Sequence, residues 1–511
     1  MTQQGIRRVV IAGGGTAGWM AAAALAKSLG TQTYRITLIE SDEIGTVGVG
    51  EATIPSIKMF NDVLGIDEAV FMRETCATFK LGIAFAGWRT PDSAYFHPFG
   101  SFGLDMDGIP FTHYWLRQRQ GGAFPDIGVF NAETEAARAR RFGWPGQAPG
   151  ALVPPINYAY HFDAGLYAAF LRRMSQGLGV ARREGRIVEA RQDAESGDIV
   201  SLVLADGQEV HGDLFIDCSG FRALLIGETL KAEFEDWSHW LPVNRALALP
   251  SKLSERPVPY TRSTAREAGW QWRIPLQHRT GNGYVFCDAY CSEDEAAATL
   301  TGNLDGDALA SPRPLKFTTG HRRQYWKNNV VAVGLASGFL EPLESTSIHL
   351  IQTSITQLIT VFPKAGIHAG VVRAYNAHMD RAYRNIRDFI IAHYKVTARE
   401  DTPFWRYCKH MDVPGTLAER LDIFANQGNA MVRQEELFRE SSWFAVLAGQ
   451  GLVPQGYHPV ADRLSVDQLR QRLTRIQHSV RDSVSGLPDH ADFIARYCAA
   501  PQFQENIAVH S

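Results

Sequence analysis

Six residues near the amino terminus, Gly13-Gly14-Gly15-Thr16-Ala17-Gly18, carry the first chemistry legible in this chain. They follow a short apolar run, Arg7 to Ala12, and open an alanine-rich stretch, Thr16 to Leu29, so the glycines stand between a strand and a helix. In a GxGxxG turn so placed, Gly13 permits the tight bend and Gly15 lets the backbone approach a pyrophosphate. Gly18 allows the helix to pack closely on the strand. Thr16 and Ala17 lie in the first helical turn, where free N–H groups and the positive dipole end face an anion. Glu40 closes the next apolar run, Arg35 to Glu40, 22 residues beyond Gly18, where an acid accepts hydrogen bonds from an adenosine ribose. The glycines alone would be an ordinary turn. With strand, helix and acid in register they predict a bound FAD or NAD.

Two later segments decide for FAD. Leu214 to Gly220 is a buried-strand pattern ending in a small-residue turn, as found where FAD monooxygenases return to their flavin. Val330 to Gly334, followed by Leu335-Ala336-Ser337-Gly338, is a second strand and glycine-rich turn leading into a helix. Such a helix start can stabilise a reduced, anionic flavin.

Gly269 to Pro275 contains the pattern WxWxIP, formed by Trp270, Trp272, Ile274 and Pro275. By residue type alone this is a strand with two tryptophans on one face. Beside the FAD elements it resembles the signature of the flavin-dependent tryptophan halogenase family, and the resemblance runs over most of the chain. Phe339 to Ser347 is similar to that family's second motif, with Ser347 standing where the family usually has glycine. The loop Gly48-Val49-Gly50-Glu51-Ala52-Thr53 matches one that the family lays near the flavin.

The resemblance implies roles residue by residue. Gly50, Ala52, Ile187, Leu335 and Ile348 would join the glycines and Glu40 around FAD. Thr346 and Ser347, at a helix start, would hold chloride or bromide. The bulky WxWxIP residues would keep organic substrate from the flavin, so that reduced FAD and oxygen convert only halide, to hypohalous acid. Lys80 would capture that acid and deliver the halogen, and Glu344 would stabilise the ring cation and help remove the displaced proton. Without the resemblance, Lys80 reads as a solvated surface charge and Glu344 as an acid favoured at a helix start.

His97 and Phe99 match the HxF that flanks an indole in the family, and both rings suit stacking; as plain residues they are a core aromatic pair. Trp443 would supply a further aromatic wall. The stretch Glu440 to Leu447 lacks the tyrosine pair with which relatives grip free tryptophan, so the expected substrate is another small indole-type aromatic. A single dinucleotide fingerprint implies that a separate NAD(P)H-dependent flavin reductase supplies the reduced cofactor. An aromatic hydroxylase would need no halide and no Lys80; a non-catalytic redox sensor would show degraded chemistry residues.

These residues must be positioned by an α/β, Rossmann-like monooxygenase-type fold with β-rich insertions and a helical carboxy-terminal part. The region from about 180 to 345 is rich in short strand patterns, and from 348 the character is helical. Tyr375, Met379, Tyr383, Ile386, Phe389, Ile390 and Tyr394 form one helical stripe. Ser465 with Gln468 is a capping-box pattern at the head of another. The expected division is a FAD-binding part, 1–347, and a mostly helical part, 348–511, completing the substrate pocket; Gly143 to Pro155 reads as a surface loop. A net charge of −3 argues against nucleic acid or an anionic membrane as partner. Six scattered cysteines without CxxC or paired histidines predict no metal site and a reduced, cytoplasmic protein. No apolar run reaches membrane-spanning length. The sequence leaves a homodimer open.

Overall fold

The computed structural model describes residues 5–43, 50–122, 125–146, 153–501 and 503. Gly48, Val49 and residues 147–152 of the expected surface loop lie outside them. The chain forms two compact units, each assembled from three separated segments. The first comprises Met1–Thr75, Phe162–Pro242 and Phe317–Arg384; the second comprises Cys76–His161, Val243–Lys316 and Asn385–Ser511. This replaces the single break expected after residue 347. The physical reason lies in pairing: the strand that neighbours Arg8–Ala12 is Leu214–Asp217, whose other neighbour is Val330–Ala332, so one unit draws on distant stretches of chain.

The first unit is built on a six-stranded sheet ordered Trp326–Lys327, Val330–Ala332, Leu214–Asp217, Arg8–Ala12, Arg35–Glu40, Ala181–Glu184. All its pairings are parallel except that of the short edge strand Trp326–Lys327. Buried parallel strands require apolar residues on both faces, and Val9, Val10, Ile11, Leu214, Phe215, Ile216, Val330 and Val331 meet that need. The alanine-rich helix Thr16–Leu29 buries the run from Gly18 to Ala26, in which Gly18 and the alanines let it lie close while Trp19, Met20 and Leu25 fill the core. An antiparallel meander, Ile187–Gln192, Ile199–Leu204 and Glu209–His211, adds Leu202 and Leu204 to the core around Val10 and Phe215, with Ile187 partly buried against it.

The second unit holds a seven-stranded sheet ordered Arg313–Lys316, Arg245–Ser251, Thr280–Phe286, Gly269–Pro275, Thr261–Arg266, Gly82–Ala86, Ala94–Pro98. Only the Thr261–Arg266 and Gly82–Ala86 pair is parallel. Its helices include Glu440–Gly449 and Val466–Ser485, the latter headed by the capping box expected at Ser465 and Gln468. The aromatic stripe from Tyr375 to Tyr394 lies on the helix Ala369–Lys395, within which the chain passes from one unit to the other.

Candidate active site

In the first unit the glycine turn has the form its spacing demands. Gly13 has φ +114 and its N–H donates to the Ile39 carbonyl at 2.9 Å; a Cβ there would meet the Cys218 carbonyl. A Cβ on Gly18 would fall 1.9 Å from the Gly13 carbonyl oxygen. Gly15 is different: a Cβ on it would meet nothing within 4 Å, so the turn leaves open space where a pyrophosphate would sit. No side chain caps the helix Thr16–Leu29, which leaves the N–H groups of its first turn for an anion. Glu40 accepts a hydrogen bond from the Trp19 indole at 3.1 Å and pairs with Arg182 and Arg172. Gly14, to which the spacing assigned no role, has its own: a Cβ would lie 1.7 Å from the Glu40 carboxylate. These features fit FAD.

The second flavin segment arrives against the first. Val330–Ala332 ends in a 3-10 turn, Gly334–Ala336, and a Cβ on Gly334 (φ +69) would press on Ala17 at 2.9 Å. Leu335 is the open residue of that turn, 37% exposed. The turn does not pass straight into a helix as expected. A short strand Gly338–Phe339 and a 3-10 turn Pro342–Glu344 intervene before the helix Ser347–Thr360, because Gly338–Phe339 pairs with Gly320–Arg322.

Glu344 is 1% exposed and is followed by Ser345 in the left-handed region (φ 60), a conformation costing a non-glycine residue about 1 kcal/mol. Strained backbone of this kind persists where a site needs it. Thr346 is the N-cap of the next helix and Ser347 its first residue, with Ile348 buried behind them. The Thr346 hydroxyl is buried and has no hydrogen-bond partner among the described residues. An unsatisfied buried donor beside uncapped N–H groups suits a small anion.

Gly50–Ala52 forms a short strand. Burial pushes the Glu51 carboxyl up to about 7.

In the second unit Lys80 ends the strand Thr78–Lys80 and is fully buried, its ammonium 5.0 Å from the centroid of the Phe99 ring. Another strained residue, Cys76 (φ 50), precedes that strand. His97 is buried with Phe389 at 5.6 Å and Phe438 at 6.2 Å between ring centroids. Phe389 stacks on Phe438 at 3.8 Å and meets Trp443 edge-on at 4.8 Å. Trp443 is 1% exposed, with the Arg420 guanidinium 4.4 Å over its ring, so it backs Phe389 rather than presenting an open wall. Phe389 and Phe438 are aromatic members that sequence reading missed; Phe389 was visible only as part of a helical stripe.

Trp270 and Trp272 are both buried on Gly269–Pro275, their rings 6.1 Å apart. Trp272 lies across the backbone of Gly283 on the neighbouring strand, where a Cβ would sit 2.0 Å from the indole. Among the described residues no group of acids, histidines and cysteines could hold a metal, and no helix is long and apolar enough to cross a membrane.

One unit carries a parallel sheet with an open glycine turn that fits FAD, the other a fully buried lysine beside the Phe99 ring; these are features of a flavoenzyme, and comparison with known proteins assigns the family. The tryptophan halogenase family profile matches residues 8–466. The chain belongs to that family and is a flavin-dependent halogenase. It is 36% identical to the tryptophan 6-halogenase SttH of Streptomyces toxytricini, over 96% of this chain and 98% of that one. Among solved structures, Xcc4156, a flavin-dependent halogenase from Xanthomonas campestris, is 52% identical with a TM-score of 0.94, covering 98% of this chain and 99% of that one. BrvH, a flavin-dependent halogenase from Brevundimonas sp. BAL3, is 44% identical with a TM-score of 0.92, covering 96% and 99%.

Proposed function

We propose that this halogenase oxidises chloride or bromide and delivers the halogen to a small indole-type aromatic through Lys80, with the Glu344 carboxylate as the base that receives the ring proton. The carrying observation is the complete burial of the Lys80 ammonium against Phe99, where a lysine has no use as a solvated surface charge. The glycine turn, Glu40, Gly50, Ala52, Ile187, the Leu335 turn and Ile348 would hold FAD. Bound in reduced form, FAD supplies with oxygen the oxidising equivalent that converts halide to hypohalous acid.

Thr346 and Ser347 hold the halide through the hydroxyl and the helix-start N–H groups. Trp270, Trp272, Ile274 and Pro275, buried on one strand, would keep organic substrate from the flavin. Lys80 receives hypohalous acid by hydrogen bonding from its ammonium or, once that ammonium has given up a proton, as an N-halo amine with loss of water, and holds the halogen at one position instead of letting it diffuse. His97 and Phe99 stack the ring. As the carbon–halogen bond forms, the ring becomes cationic; Glu344 stabilises that charge and accepts the displaced proton.

Free tryptophan is disfavoured as substrate. The helix Glu440–Gly449 offers no tyrosine pair to grip an amino-acid headgroup; Glu440 accepts from the Ala430 N–H, and Trp443 is packed under Arg420. The reduced flavin comes from a separate NAD(P)H-dependent reductase, and we place the enzyme in the cytoplasm, where reduced nicotinamide is made.

The test incubates purified protein with FAD, a flavin reductase, NADH and indole, in chloride or in bromide, with products read by mass spectrometry. Wild type is expected to give a halogen isotope pattern that drops at least a hundredfold in Lys80→Ala and Glu344→Gln, the scale of a lost general acid–base or relay group. Hydroxylated indole, independent of halide and of Lys80, would overturn the reading.

A further inference from the structure

Thr78 and Lys80 stand two residues apart on one strand and so project from the same face. That strand pairs antiparallel with Ala159–Asp163 in the register Thr78 to His161 and Lys80 to Ala159. His161 therefore sits on the face from which Lys80 emerges, and Ala159, opposite the lysine, leaves room for its stem. His161 is fully buried and makes two hydrogen bonds, Nδ1 to the Thr78 hydroxyl at 2.9 Å and Nε2 to the Thr261 hydroxyl at 2.9 Å.

The proton positions follow from counting. The Thr78 hydroxyl has one hydrogen and donates it to the Pro275 carbonyl, which can only accept, at 2.7 Å. Thr78 must therefore accept from His161, so Nδ1 carries the proton. Nε2 faces the Thr261 hydroxyl, which can donate to it when the imidazole is neutral. Burial, then the charge of Lys80, and then His490 hold the His161 imidazole well below its ordinary value, in keeping with that neutral form.

The other face of the strand is fixed in the same style. His490 Nδ1–H donates to the Pro257 carbonyl at 2.8 Å and its Nε2 accepts the Phe79 N–H at 3.2 Å, while Phe79 stacks on Phe142 at 3.9 Å. Pro275 is also the last residue of the WxWxIP strand. A chain of hydrogen bonds thus runs from that motif through Thr78 to His161 and Thr261, beside the lysine.

We propose that His161, as the neutral Nδ1–H tautomer, is a positioning residue: through Thr78 it fixes the strand, and hence the Nζ of Lys80, relative to the WxWxIP strand. It touches no reactant. Its loss should leave hypohalous acid formation running and spoil delivery. This rests on the reading of Lys80 as relay, and the experiment separates the two.

For wild type, His161→Asn, His161→Gln, Thr78→Val and Lys80→Ala, halogenated indole would be measured beside free hypohalous acid captured by a β-diketone trap. An Asn amide can occupy the Nδ1 site and donate to Thr78; a Gln amide reaches only the Nε2 site. The ratio of product to trapped acid is expected to fall about tenfold in His161→Gln and in Thr78→Val, equivalent to about 1.4 kcal/mol, and to recover substantially in His161→Asn. Equal loss of both products would mark a merely structural role and overturn the proposal. So would an unchanged ratio in His161→Gln and Thr78→Val while Lys80→Ala collapses. An unchanged ratio in Lys80→Ala would refute the relay itself, and the proposal with it. Thr78→Val cuts the same link should His161→Gln fail to fold. Independently of any substrate, ¹⁵N-histidine NMR at pH 7 should show His161 protonated at Nδ1 alone; a proton on Nε2 would overturn the assignment.

Discussion

Glu51 illustrates how one carboxyl shielded from solvent couples the short strand Gly50–Ala52 to pH. Its value is raised from the ordinary 4.5 to about 7 by burial, so the folded state holds a proton that the unfolded chain has released across that interval. Below about pH 4.5 both states are protonated and the group is neutral to stability. As pH rises toward 7 the folded state is progressively penalised, by at most about 3 kcal/mol before solvent screening, and above 7 the penalty is constant. Glu51→Gln should remove it. Chemical denaturation of the flavin-free protein would show variant and wild type equal near pH 4.5 and the variant more stable at pH 8; parallel stability curves would refute the account. This carboxyl was visible in the sequence only as part of a family loop, because burial is a property of what surrounds a side chain. Lys80 and Glu344 were singled out by resemblance and not by type; their burial was not visible in the sequence. His161 and Thr78 were not legible at all: ordinary residues 83 positions apart, whose meaning lies in a strand register.

At the scale of elements, the glycine turn separates fold from function at adjacent positions. Gly15→Ala adds a methyl to open space at a φ of −73, so the fold should be unchanged or slightly stabilised while FAD affinity falls roughly tenfold or more, about 1.4 kcal/mol. Gly14→Ala drives a methyl into Glu40 and should destabilise the protein by about 1–3 kcal/mol. Thermal melts without flavin and fluorescence titration with FAD would separate the two; equal effects from both variants would contradict the geometry. Elements with local causes were readable in advance: the helix Thr16–Leu29, the strand Arg35–Glu40 and the cap at Ser465 stand where spacing put them. The turn after Val330–Ala332 was misread at its exit, since the strand Gly338–Phe339 exists only through a partner, Gly320–Arg322, that local pattern cannot announce.

For the whole molecule, the decisive fact is that both units interleave three segments each. Hydrophobic pattern alone suggested a cut at residue 347, where strands give way to helices. A chain truncated there would lack residues 348–384 of the first unit and 385–511 of the second. Neither core would be complete, and calorimetry should find no cooperative transition; a sharp transition in the truncated chain would argue for independent parts.

The same order of segments sets a clock during synthesis. Val9 pairs with Leu214, and Phe215 waits for Val330. At roughly 5–20 residues per second, the first strand spends on the order of tens of seconds beyond the ribosome before its sheet can close. For that interval the edge that will meet Leu214–Asp217 stays unpaired, so holding chaperones are expected to raise the enzyme's folding yield. Its yield should depend on translation speed more steeply than its final stability would suggest.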